Sequence, residues 1–422
     1  MGVPNVALVS TDLEAAFATA QASSYIDQRA IEGTINLGGL QNQKLADKSV
    51  VAYLHDRRAD RIGSQFGSAF SLTIDCEGLP AGLGPAVAYV APQNSMLQVL
   101  QSVFGGISGD SGSTIVGAGS TTTTLDITDG HRTRFPPGCL ICVGGEVVKV
   151  LSVAAATGAE DTITIDRALA AIPTAGTIVY RGVTIYPRAA GFGSDGQSMV
   201  WRFLGEQADD QWIARGCCGK VTFESSFDAL LSMAVEMQVA QWESISGETL
   251  TDADPIGGGP LQPAVGRVWA RVAGATTAYE YHADSFKMDP GVNYVPSRWL
   301  GGVGTIGRYR QTRHLPTAQF AIPFYEGLDG AGDFLAFWTQ SADQDFRGDV
   351  ITQMGDTPIT GGAGTGIVAL QMSNAWHSKD PTRDVGGDLM HVGLNLAASA
   401  DLEPTGGADT ALMYAPYRIG VF

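Results

Sequence analysis

Residues 229–242 read ALLSMAVEMQVAQW, and within them Leu231, Met233, Val235, Met237 and Val239 alternate with Ser232, Ala234, Glu236, Gln238 and Ala240. A period of two sends one set to each face of a strand, so the stretch predicts a long β-strand with one packed and one wet face. A strand of this length belongs to a barrel or a large sandwich. The same alternation recurs in residues 67–78, GSAFSLTIDCEG, where Phe70, Leu72, Ile74 and Cys76 interleave with Ser71, Thr73, Asp75 and Glu77.

Between these strands lies the best helix. In residues 94–104, NSMLQVLQSVF, Asn94 or Ser95 can cap, Met96, Leu97, Leu100, Val103 and Phe104 form one apolar stripe, and Gly105 ends the run. Such a helix lies on a sheet. The composition then changes to SGDSGSTIVGAGSTTTT, residues 108–124, which reads as a Gly, Ser and Thr linker. A β-rich block follows to about Gly182. Within it LICV and EVVKVLSV flank Gly144 and Gly145, a two-residue hairpin signal, and DTITID and TIVYRG supply two more strands. Residues 107–182 therefore read as a small β domain inserted into a larger fold. Its deletion should spare the remainder.

The rest of the chain divides accordingly. Residues 1–28 are small, polar and weakly periodic, an N-terminal arm. Residues 29–106 and 183–422 carry the main β domain, with two loosely similar halves as one reading of its pattern. The expected fold class is mainly β: an antiparallel β-barrel or sandwich with one helix packed on the sheet and one inserted β domain.

Composition bounds the function. Of 422 residues, 54 are Gly and 19 Pro, 44% are apolar and 16% charged, which excludes a disordered chain and disfavours an all-α one. The net charge of −17 disfavours direct nucleic-acid gripping, which needs a basic footprint. Five cysteines, Cys76, Cys139, Cys142, Cys217 and Cys218, do not make a disulfide framework, so a reducing compartment is expected. The first residues lack the basic start of a secretory signal, and no apolar run approaches bilayer length.

Short motifs are few. Gly109–Gly112 spells GDSG, but in a linker, without the base and orienting carboxylate that a nucleophile needs. Residues 302–307, GVGTIG, fit a dinucleotide fingerprint by letters, yet RYRQTRHLP follows instead of an apolar helix. Cys139 and Cys142 form a single CxxC with no second pair, so hydrophobic strand cysteines are expected. Asp343, Asp345 and Asp349, or Glu326, Asp329 and Asp333, lack EF-hand spacing and read as solvated loop acids. Arg347-Gly348-Asp349 spells an adhesion tripeptide that three letters reach by chance. The expectation is no enzyme, no cofactor and no metal, but a self-assembling structural subunit.

The order of GSAFSLTIDCEG, the helix NSMLQVLQSVFGG, and residues 199–242 with the Gly216-Cys217 turn before Lys220 to Trp242 resembles the major tail tube protein of long-tailed, siphovirus-like bacteriophages. The likeness continues through SFKMDPGVNYV to the closing RIGVF, while residues 107–182 resemble the small modules that decorate some tail tubes. The resemblance implies a virion protein of the tail, assembled in the cytoplasm of the bacterial host. Its rings would hold six subunits, or three if the halves are a duplication, and would stack into a lumen through which genomic DNA passes during ejection.

The implied partners are further copies of the chain, the tape measure, tail terminator and distal tail proteins, and non-specific DNA in transit, with no membrane. The charged stretch His55–Gln65, with Arg57, Arg58, Asp60 and Arg61, would then be ordered, with the arm, between neighbouring rings. The competing readings are another β-rich virion protein of the neck or shell and a carbohydrate-binding adhesion protein, which would show an exposed aromatic platform. A glycosidase would show two carboxylates at catalytic separation.

Overall fold

The computed structural model describes residues 6–14, 25–28, 30–31, 33–37, 44–45, 61–62, 68–79, 95–109, 113–155, 160–188, 198–205, 211–226, 229–245, 261, 266–298, 306–311, 315–323, 347–357, 366–379, 382–384 and 391–422. The described residues form 28 strands. The first third holds β1 (Val6–Leu13), β2 (Ile26–Asp27), β3 (Lys44–Leu45), β4 (Arg61–Ile62), β5 (Ser68–Asp75), helix α1 (Ser95–Phe104) and β6 (Gly105–Gly109). The inserted block holds β7 (Thr114–Ile115), β8 (Thr124–Thr128), β9 (Leu140–Val143), β10 (Glu146–Ala155), β11 (Glu160–Ile165) and β12 (Ile178–Tyr180). The middle runs through β13 (Val183–Pro187), β14 (Met199–Gly205), β15 (Gln211–Ser226), β16 (Ala229–Val239), β17 (Gln241–Ile245), β18 (Arg267–Val272) and β19 (Ala278–Tyr281). Then come β20 (Ser285–Asp289), β21 (Tyr294–Arg298), β22 (Ile306–Gln311), β23 (Thr317–Pro323), β24 (Gly348–Thr357) and β25 (Gly366–His377). The chain closes with β26 (Thr382–Asp384), β27 (His391–Ala397), the one-turn helix α2 (Thr410–Met413) and β28 (Tyr417–Val421).

The fold is mainly β and antiparallel, and the largest sheet is nearly closed like a barrel. Two long strands make its corners by changing partners. The first half of β15 pairs with β14 and β17, and the second half with β16 and β20. The change falls at Gly216, whose φ of 62° a side chain would resist, and its N–H donates to Glu14 Oε1 at 2.9 Å. Likewise β25 pairs with β28 and then, past Asn374 at φ 46°, with β27.

One wall is the sheet β5-β16-β15-β20-β23-β27. The opposite wall is β6-β13-β28-β25-β24-β18-β19. The main core lies between them. Leu231, Met233, Val235, Met237 and Val239 are buried in it as the alternation predicts, with Phe70, Leu72 and Ile74 from β5 and Val268, Leu370 and Ile419 from the other wall. The ring of Phe70 meets Trp201 at 5.2 Å and Phe203 at 5.0 Å edge-on, a geometry adding about 0.5–1.5 kcal/mol per pair beyond buried area.

Helix α1 forms where expected but does not merely rest a stripe on a sheet. Val99, Gln98 and Ser102 are as buried as Met96, Leu97, Leu100, Val103 and Phe104. It is enclosed, and Gln98 Oε1 accepts from Thr11 Oγ1 at 2.8 Å, while Gln98 Nε2 is buried without a hydrogen-bond partner among the described residues.

The reading of residues 1–28 as an arm is corrected for residues 6–14 and 25–28, its described part. Strand β1 pairs along its length with β14 and also with β2, and Ser10 and Thr11 are fully buried. Its periodicity is faint because polar Ser10, Thr11 and Asp12 are buried in succession beside the apolar Val9. The linker reading of residues 108–124 is corrected too. Ile115 pairs with Ile178, and Ser120 Oγ accepts from Asp126 N at 2.9 Å, so residues 113–124 are folded into the block, whereas Ser108 and Gly109 pair with β13 of the main sheet.

The block forms its own six-stranded sheet, β7-β12-β9-β10-β11-β8, around a separate core that Tyr186, Leu412 and Ala415 of the main domain help to complete. Gly144 and Gly145, at φ 59° and 84°, join β9 to β10 as the two-residue turn the sequence signals. Yet the block is docked. Leu140, Cys142 and Val147 pack against Trp269, Ile351, Ile367, Ala369 and Phe422 on the outer face of the β24-β25-β28 wall.

Candidate functional site

Alternation along β5, β16, β15, β20, β23 and β27 gives their sheet a second face, turned away from the core. Register aligns Asp75, Ser232, Glu224, Lys287, Gln319 and Asn395 in one row across all six strands. A second row holds Ser71, Glu236 and Lys220, and a third Thr73, Ala234 and Thr222. These side chains are small or polar and at least partly exposed. Over the last five strands the face is hollowed into a trough of about 550 Å³, lined by residues including Leu230, Glu224, Lys287, Gln319 and Asn395. Phe286 and Phe320 border the trough but are buried core residues, stacked on each other at 6.3 Å, and no exposed aromatic side chain stands on the face among the described residues.

Its charge is mildly acidic. Asp75, Glu224, Glu236 and Asp289 face Lys220 and Lys287. Lys220 Nζ stands 3.1 Å from Glu236 Oε2, and Lys287 donates to Glu224. The face offers a polar, weakly anionic wall indented by the trough. It sets up no nucleophile with a base and oxyanion donors among the described residues.

The far side of the molecule carries a different cluster. Lys149 of β10, fully buried, donates to Asp349 Oδ2 at 2.5 Å, Asp401 Oδ2 at 2.8 Å and Glu403 Oε2 at 3.3 Å. Arg271 Nη2 reaches Asp349 Oδ2 at 2.7 Å and also pairs with Glu403, while Arg418 Nη1 stands 2.9 Å from Asp401 Oδ2. Three carboxylates thus converge closely enough to suit a metal ion, but three cationic side chains already occupy their oxygens. Burial lowers the Lys149 pKa, and the facing Asp349 and Asp401 outweigh it, so the ammonium is held above its ordinary value. The cluster is a fastener between block and main domain.

The residues singled out from sequence land variously. Arg57, Arg58 and Asp60 lie outside the described residues, and Arg61 opens β4, its backbone paired with Leu45. Of GDSG, Gly109 ends β6 and residues 110–112 lie outside the described residues. So do residues 302–305, whereas Ile306–Gln311 is a strand, not the helix a dinucleotide site requires. Cys139 and Cys142 are buried in two different apolar clusters, and burial pushes the Cys142 thiol up to about 12.

Asp343, Asp345, Glu326, Asp329 and Asp333 lie outside the described residues. Asp349 is no solvated loop acid: it is buried on β24, which also disposes of the adhesion tripeptide. The ionic cluster was missed, although its signal is present as a lone cation inside apolar strands, Lys149 in EVVKVLSV and Arg271 in RVWARV.

No helix among the described residues is long and apolar enough to cross a membrane. The chain matches no protein-family model and no curated protein.

Proposed function

We propose that the chain is a structural subunit of a phage tail tube that assembles with further copies of itself into stacked rings, the polar face lining the lumen. The observation that carries this reading is the six-strand face whose aligned rows are polar or small and hold more carboxylates than lysines, with Leu230 its exposed large apolar residue among those described at the trough. A wall of that kind repels phosphate and offers DNA nothing to grip, so DNA slides. The inserted block lies on the outer face of the opposite wall, away from this surface, as a decoration outside a tube would.

On this reading the protein is not an enzyme. Its other partners are the tape measure, terminator and distal tail proteins, and DNA in transit. The carbohydrate-binding alternative is not favoured by a face without an aromatic platform among the described residues.

Negative-stain imaging of the purified chain over a range of salt and concentration tests the proposal. Annular particles or tubes with an axial hole are expected. A monomer under every condition, and rings absent from particles that contain the chain, would overturn it.

A further inference from the structure

The polar face bears two lysines, and each stands directly across a strand pair from a glutamate: Lys220 opposite Glu236, and Lys287 opposite Glu224. Both pairs are in contact. All four side chains are about half exposed, between 42% and 57%, so the pairs contribute little to stability. An exposed lysine is nevertheless a compact point charge that holds phosphate and releases counterions, and repeated copies on one wall multiply the effect. The positions beside Lys287 along its row, Gln319 and Asn395, are neutral, while Asp75 at the far end adds negative charge. Among the residues whose side chains are described, every cation on this face therefore has a cross-strand carboxylate.

Resting on the reading that this face borders a DNA path, we propose that Glu224 and Glu236 are positioning residues that mask Lys287 and Lys220 and keep the wall from holding a passing polyanion. They act through the lysines, drawing each ammonium down onto the sheet and cancelling its field beyond it.

The test uses the full chain immobilised densely on a resin and challenged with double-stranded DNA at about 50 mM salt, where phosphate contacts are strong. Wild-type resin should retain little. The E224Q/E236Q variant should retain about tenfold more, released by added salt, as unmasked lysine contacts require. Adding K220M/K287M should return retention to the wild-type level. Each single Glu→Gln variant should show a smaller gain in the same direction, which keeps the test open if the double variant folds poorly.

No gain in the folded Gln variants would overturn the proposal, as would a gain that persists without the lysines. The measurement does not require rings. Failure to assemble would sink the tube reading and leave this result standing, and failure to gain DNA would sink the masking role while tubes still formed.

Discussion

Lys149 and Asp349 meet at 2.5 Å although 200 residues separate them in the chain, one on the inserted block and the other on the wall beneath it. Replacing Lys149 by Met leaves Asp349, Asp401 and Glu403 without their shared ammonium in a buried site. The expected cost is about 3–5 kcal/mol, the range for breaking a buried pair by removing one partner. A urea unfolding midpoint equal to wild type would show that the cluster does not fasten the block.

Deleting the whole block, residues 114–180, is the harsher version. It uncovers Trp269, Ile351 and Phe422 and leaves Arg271 and Arg418 to neutralise the acids alone. The shortened chain is expected to aggregate or to unfold at markedly lower urea. A deletion variant with wild-type stability would restore the separable-domain expectation.

The same cluster sets a pH dependence with two opposed limbs. Burial works to raise the Asp349 pKa, but Lys149 and Arg271 beside it hold it below its ordinary value. Folded Asp349 then binds fewer protons than the unfolded chain. Its contribution is full above about pH 4 and is lost as the pH falls through the lowered folded value. Asp166 runs the other way. Burial raises it against the pull of Arg271 and Lys149, so the folded chain binds more protons there. Its contribution therefore falls as the pH climbs from about 4 through the raised value. D166N should flatten that upper limb and spare the acid one, read from urea midpoints across the range. Parallel curves for variant and wild type would refute the assignment.

Gly219 tests the close approach of β15 to β16. A Cβ there would meet Glu236 O at 2.0 Å and Met237 Sδ at 2.6 Å, and the first of these is backbone that cannot swing aside. Gly219→Ala is expected to destabilise by about 1–3 kcal/mol, the usual cost of forcing extra atoms into a packed site. An unchanged denaturation midpoint would mean the strands part more easily than their pairing suggests.

Much of the polar face was legible in residues 229–242 and 67–78, because a period of two assigns every side chain to a face without reference to anything distant. Leu231 to Val239 went inward and Ser232 to Gln238 outward as the letters dictate, and the Gly144-Gly145 turn likewise needed only local geometry. Tertiary structure alone decided which strands became neighbours. The row from Asp75 to Asn395 draws on six strands spread over more than three hundred residues, so the pairing of Lys287 with Glu224 is invisible in either segment.

The same holds for β1, whose buried Ser10 and Thr11 imitate a solvated arm until their partners are known. It holds for Lys149, a charge that belongs in an apolar strand only because Asp349 and Asp401 arrive from the far end of the chain. Side-chain alternation is a property of neighbouring residues, whereas satisfaction of a buried polar group depends on partners that only the closed fold brings within reach.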